Sequence, residues 1–448
     1  MTSFYTFSLL LLVIVNASFL PIRNQQRPCT FLDHSSRVEY LYVWVGSDEG
    51  DHIAVIEYDP ANVCSYGNII SKSYLPDVPN VSQTGNEAHH LGISGDGKWI
   101  ITGGLVSLLM GTNEIFVWSI DENRMPVYNY SFDVPGYGCP DEFLPINEAK
   151  TLFIFTMMCD GSGGSPGSVW QINLSTGVWG PWLSPLNILV DFNPHGLDYS
   201  TKYGMISADY VLPITLFTGP PIIFRDTLRR FNLDGTLNAT INMPTVNSGF
   251  MEFHYFPDED SKYLGVSCGT NDNGFYLINT TDNTPLLLIN LADAVNGGVK
   301  SLSAGLFRFT KTGNRLVTTF DLRYVVLLEI SEDRRNASVI KVFDYCILYP
   351  QVCLQTGGKP GSHYLRFDVA EERFWVVNYF IEVGIAILNG TQTMSSFYAK
   401  RSGEEGEVNS FTLDPYFNPV FGKDRPHGAV EGLWTKVGNY WRFQTSPR

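Results

Sequence analysis

The chain has 448 residues, 44% of them hydrophobic and 17% charged, enough apolar material to bury a large core. Its formal net charge of −15 argues against nucleic acid and anionic membrane surfaces as partners, because both need basic patches. Length alone suggests two or three domains, so the repeat described below decides the architecture.

At the N-terminus, FYTFSLLLLVIVNAS holds an apolar stretch from Leu9 to Asn16 followed by small residues, with no Lys or Arg ahead of it. The stretch is too short to span a bilayer and predicts a signal peptide over residues 1–18, leaving 19–448 as one domain. No later segment reads as a membrane span. The expected product is a secreted or lumenal protein.

Further along, a unit recurs seven times. Each copy has a polar turn, a short apolar run, a loop and a second run ending in Asn or Asp. The first runs start near Leu41, Trp99, Leu152, Tyr203, Tyr263, Leu316 and Phe374, at a nearly even spacing. Runs of this kind, rich in Val, Ile, Phe, Tyr and Trp and bounded by Gly, Asp and Asn, are strands. Several strands in a period of about 50 residues predict an all-β, seven-bladed propeller. The copy at Leu41 lacks a preceding inner strand, whereas the C-terminal HGAVEGLWTK has no copy after it. Pairing the two closes the ring and removes a sheet edge; an unclosed or six-bladed ring is the alternative.

Seven N-x-S/T sequons follow the signal segment, at Asn80, Asn129, Asn173, Asn238, Asn279, Asn336 and Asn389. Six of them fall at turns after a third strand or near an outer strand, where glycans are accommodated; Asn80 precedes an inner strand. The seven cysteines are Cys29, Cys64, Cys139, Cys159, Cys268, Cys346 and Cys353, an odd number. In an oxidising compartment, Cys346–Cys353, Cys139–Cys159 and Cys29–Cys64 are the candidate disulfides. Cys139 is alternatively a thiol ligand.

Six of the eight histidines keep a common phase. His90, His195, His254 and His363 precede the starts at Trp99, Tyr203, Tyr263 and Phe374 by nearly the same short interval. His89 adjoins His90, and His427 opens the closing strand. That phase is where the chain joins the innermost strand, beside the central channel on one face. Neutral imidazole suits copper, zinc, iron and nickel, so several of these side chains can share one ion. Glu87, Asp191 and Glu252 are candidates to orient the rings. Neighbouring side chains of a regular strand point to opposite faces, so His89 and His90 can share an ion only across a bulge or loop. The Gly-rich stretch at 161–168 lacks the Lys-Ser/Thr of a phosphate cradle, and no CxxC or HExxH is present.

The segment Glu87-Ala88-His89-His90-Leu91-Gly92 resembles the E-L-H-H-x-G of the selenium-binding protein family, which includes methanethiol oxidases. IAVIEYDPANVCSYGNII is similar to that family's first blade, GTNEIFVWSID to its S-S-R-I-Y-V-V-D, and FNPVFGKDRPHG to its F-x-V-D-F-G-K with the histidine beyond. The resemblance implies a copper-dependent oxidase turning methanethiol, O2 and water into formaldehyde, hydrogen sulfide and hydrogen peroxide. His89, His90 and His427 would then hold the metal, and a small thiol would be the substrate. There are departures. YLYVWVG lacks the family's selenium-associated cysteine, SGDG replaces its Cys-containing stretch, and Pro135-Gly136-Tyr137-Gly138-Cys139 stands where D-I-H-A-K is usual. Two other functions remain open on the residues: an inactive secreted propeller that binds a protein or small ligand, and a lactonase-like hydrolase using a divalent ion.

Overall fold

A computed structural model describes residues 36–445, apart from 259–262, 300–303, 356–359, 380–393, 403–405 and positions 148, 150, 296, 349, 418, 423 and 439. The signal segment, Cys29, His34 and Asn389 therefore lie outside the described residues.

Seven antiparallel sheets are arranged as the blades of a propeller. Six have four strands; blade two, for example, runs Ala88–Ile93, Trp99–Gly104, Ile115–Ile120 and Pro126–Phe132 from axis to rim. The inner strands of blades three to seven are Tyr137–Pro145, Pro194–Ser200, Phe250–Tyr255, Ala304–Phe309 and Ser362–Phe367. Each inner strand touches the next around the axis.

Blade one joins the two ends of the described chain. Its inner strand, Arg425–Val437, pairs antiparallel with Arg37–Gly46, and Ser362–Phe367 of blade seven packs against it. The expected closure is therefore present. One addition was not foreseen: Tyr440–Gln444 adds a fifth strand beside the far end of Arg425–Val437.

The core lies between blades rather than inside any one of them. Both faces of a middle blade are covered, so strands such as His52–Glu57 are buried at every position instead of alternating. Trp44, Trp118 and Trp375 are fully buried among Phe and Tyr rings, and Trp44 Nε1 donates to Gly103 O of the next blade at 2.8 Å. That bond satisfies the one polar atom of the buried indole. Helical turns of three to six residues are the only helices among the described residues, and none is long and apolar enough to cross a membrane.

Among the described residues two disulfides are formed, Cys139–Cys159 and Cys346–Cys353. Cys139 is thus tied up as half a disulfide and has no thiolate for a metal; that reading is corrected. The Cys29–Cys64 pairing involves a residue outside those described. Cys268 is a buried free thiol whose Sγ donates to Gly305 O at 3.4 Å. Of the sequons, Asn80, Asn129, Asn238 and Asn336 are exposed, and Asn173 and Asn279 are half-buried.

Candidate metal centre

Every inner strand carries one extra residue relative to its neighbour. In blade two Ala88 pairs with Gly104 and Leu91 with Thr102, so His89 and His90 together face one residue. The corresponding interruptions hold Asp141-Glu142, His195-Gly196, Met251, Gly305-Leu306, His363 and His427-Gly428. A bulge bends its strand and aims the extra side chain out of the pleat. The bulges of blades one to four carry the residues whose ligand atoms meet. This is how two adjacent histidines reach the same centre.

Asp141 sits among the rings. Its Oδ1 is 2.9 Å from His89 Nε2 and 3.4 Å from His90 Nδ1, and its Oδ2 is 3.0 Å from His195 Nδ1. Glu142 Oε2 lies 3.3 Å from His90 Nδ1. His427 has its ring centroid 3.7 Å from that of His89 and 4.9 Å from that of His363. Two groups have ligand atoms within 4.8 Å of one another: His89, His90 and His427, and His89, Asp141 and His195. All five residues are buried, with exposures of 8% or less.

These groups lack the partners that burial demands. His89 Nδ1, both nitrogens of His90 and His427, His363 Nδ1 and both oxygens of Asp141 are buried without a hydrogen bond of good geometry. His195 is the exception, its Nδ1 lying 2.9 Å from Met251 O. Buried polar atoms are satisfied in folded proteins with few exceptions, and so many orphans converging on one point fit the ligand set of a cation. The donor set passes the test of holding a metal ion.

Electrostatics prepare the same centre. Burial lowers His89 to about 4 against the pull of Asp141, and lowers His363 to about 3. Burial, with neighbouring imidazoles, also holds His427 far below its usual value. Such rings stay neutral and keep lone pairs free. For His90 burial is outweighed by Asp141 and Glu142, so its pKa is raised. Burial is likewise outweighed at Asp141, which His195, His90 and His89 hold well below the carboxylate range. Tyr210, edge-on to His195 at 4.9 Å, is pushed up to about 12 by burial and Asp141.

The remaining residues singled out by phase are placed as follows. His254 lies three positions past its blade's bulge at Met251 and belongs to another cluster. Its Nε2 is 3.1 Å from Glu252 Oε2, which also takes Arg308 Nη1 at 3.0 Å. Glu252 thus orients an imidazole, but not one of the central group. Asp191 is largely exposed and pairs with Arg225 at 3.2 Å. Glu87, half-buried, adopts φ 54° just ahead of the bulge, and its carbonyl accepts from Leu105 N. His52, out of phase, is buried beside Asp424, 3.7 Å away.

The inner strand of blade three carries no histidine, so histidine phase alone does not single out Asp141. Asp141 precedes Leu152 by the same offset as His363 precedes Phe374. Counting carboxylates at that phase would have found it.

Fold and site together define a seven-bladed propeller with a buried, histidine-rich cluster on its axis. A hypothetical selenium-binding protein from Sulfolobus tokodaii superposes with a TM-score of 0.69 at 14% identity, covering 88% of this chain and 94% of that one. The periplasmic gluconolactonase of Pseudomonas aeruginosa gives 0.56 at 13% identity, covering 92% and 100%. A putative 6-phosphogluconolactonase from Bacteroides fragilis gives 0.55 at 10%, covering 89% and 99%. At such identities the likeness establishes the fold alone. No family model and no curated protein matches the sequence.

Proposed function

We propose that the protein is a secreted, copper-dependent thiol oxidase of the methanethiol oxidase type. The observation that carries this reading is the convergence of His89, His90, His195, His427 and Asp141, whose buried ligand atoms are mostly without partners. A donor set of several imidazoles and one carboxylate favours copper or another transition metal over calcium or magnesium. The His-His segment, its likeness to the selenium-binding protein family and the neighbour of that description support copper within that group.

Copper bound there would supply O2 activation and hold the thiol as its thiolate. The chain's own contribution is positional. Asp141 stays anionic, offsets the charge of an ion, and sets one oxygen beside His89 and the other beside His195. Glu142 holds the Nδ1 side of His90. Rings that are neutral at working pH spare the site a competition with protons. Burial keeps bulk water from the reacting atoms.

The same reading places the protein in the secretory pathway. Residues 1–18 would be removed, the sequons would be glycosylated, and the two disulfides fit an oxidising compartment.

A gluconolactonase-like hydrolase is the weaker reading. Relatives by fold carry that description, but Asp141 is the one carboxylate in the two ligand groups, whereas hard ions want several. Metal analysis of the purified mature protein tests the choice. Stoichiometric copper that is lost in His89→Ala/His90→Ala, with hydrogen peroxide and hydrogen sulfide released from methanethiol, supports the oxidase. Calcium, or a folded protein that takes up no metal, overturns it.

A further inference from the structure

A histidine that ligates a metal normally has its other ring nitrogen held by a carboxylate, a carbonyl or a water, which fixes the plane of the ring. His195 Nδ1 lies 2.9 Å from Met251 O and 3.0 Å from Asp141 Oδ2, and His90 Nδ1 faces Glu142 Oε2 at 3.3 Å. His427 has no such arrangement. Both its nitrogens are buried without a hydrogen bond, and the residue is fully buried. Gly428 follows it, so no side chain at the next position braces the ring.

What touches His427 instead is aromatic. Tyr379, one residue past the second strand of blade seven, stacks on it with centroids 4.2 Å apart and planes 17° apart. Tyr379 is itself 7% exposed. His89 also meets His427 edge-on, with centroids 3.7 Å apart and planes at 72°. The imidazole thus packs against one flat aromatic face and one ring edge. Rotation about its Cβ–Cγ bond would drive the ring into one or the other. Stacking leaves both nitrogens open, whereas a hydrogen bond would occupy one.

We propose that Tyr379 is a positioning residue for the metal centre: its ring, by stacking, sets the plane of His427 and so aims a ligand nitrogen at the ion. The hydroxyl group has no part in this; the π face does. The proposal rests on His427 being a ligand in the reading above, but the ordering of the ring is a property of the metal-free protein too.

The test uses Tyr379→Phe, which keeps the ring, and Tyr379→Met and Tyr379→Leu, which keep bulk and remove it. In metal-free protein labelled with 15N-histidine, wild type and Tyr379→Phe are expected to show one sharp set of His427 ring signals. The aliphatic variants are expected to show broadened or doubled ones, with far-ultraviolet circular dichroism unchanged. In copper-loaded protein, the aliphatic variants are expected to weaken copper at least roughly tenfold and to alter its electron paramagnetic resonance spectrum, while Tyr379→Phe stays within about twofold. Identical His427 signals in wild type and a folded aliphatic variant would overturn the proposal. A wild type that takes no copper would sink the oxidase reading instead, and the ring signals would still decide the role of Tyr379.

Discussion

Asp141 Oδ1 and His89 Nε2, from the inner strands of adjacent blades, lie 2.9 Å apart inside the ring. The contact is one of three that the same carboxylate makes with imidazoles. A single buried anion thus organises ligands from blades two and four around one from blade three.

Replacing Asp141 by Asn keeps its volume and removes its charge. The expected result is a loss of copper or zinc affinity of roughly 10–100-fold, read by competition with a chelator. An unchanged affinity would remove Asp141 from the centre.

Gly428 ties the closing strand to the histidine pair. A Cβ there would sit 2.7 Å from His89 O and 3.0 Å from the His90 Cα, both backbone atoms that cannot swing aside. Gly428→Ala should therefore cost about 1–3 kcal/mol of stability and weaken metal binding together. Thermal unfolding and metal titration on one sample check the pair of effects.

Glu114 makes stability depend on pH. It is fully buried, neither oxygen has a hydrogen bond of good geometry, and burial reinforced by Asp133 raises its carboxyl from 4.5 to about 9. A folded pKa above the unfolded one favours the folded state below pH 4.5, and that advantage drains away as pH rises towards 9. By pH 7 the wild type should have lost roughly 3 kcal/mol relative to acid, through this group. Denaturant unfolding at pH 4, 7 and 8.5 should show Glu114→Gln with a flatter profile and the larger gain at the higher pH. Parallel profiles would contradict the assignment.

The two disulfides should behave differently. Cys139–Cys159 spans 20 residues and Cys346–Cys353 spans 7. Loop-closure entropy gives about 3 kcal/mol for the first and about 2 for the second. Serine replacement of the first pair should also disturb metal binding, since Cys139 lies two residues before Asp141. Replacement of the second pair should leave it intact; calorimetry and metal titration distinguish the two.

The blade count, the closure by HGAVEGLWTK and the gathering of His89, His90, His195, His363 and His427 on inner strands were legible in the sequence. Each depends on a repeat that recurs seven times, so an error in one copy is corrected by the others. The bulge that lets His89 and His90 face one centre was legible only as a requirement. Asp141 was not legible in the same way, because an aspartate beside a Gly- and Pro-rich turn is ordinary turn chemistry.

By itself the sequence determined the all-β ring and the level in it at which polar side chains enter. Local strand patterning and a regular blade-length period are enough for that, because blade packing is repeated and tolerant. Only the tertiary structure decided which of the near-phase residues meet. One extra residue per inner strand selects the side chain that faces the axis, and a shift of a few positions moves a residue to another layer. Hence His254, three residues beyond its bulge, pairs with Glu252 and Arg308, while Asp141 joins the histidines.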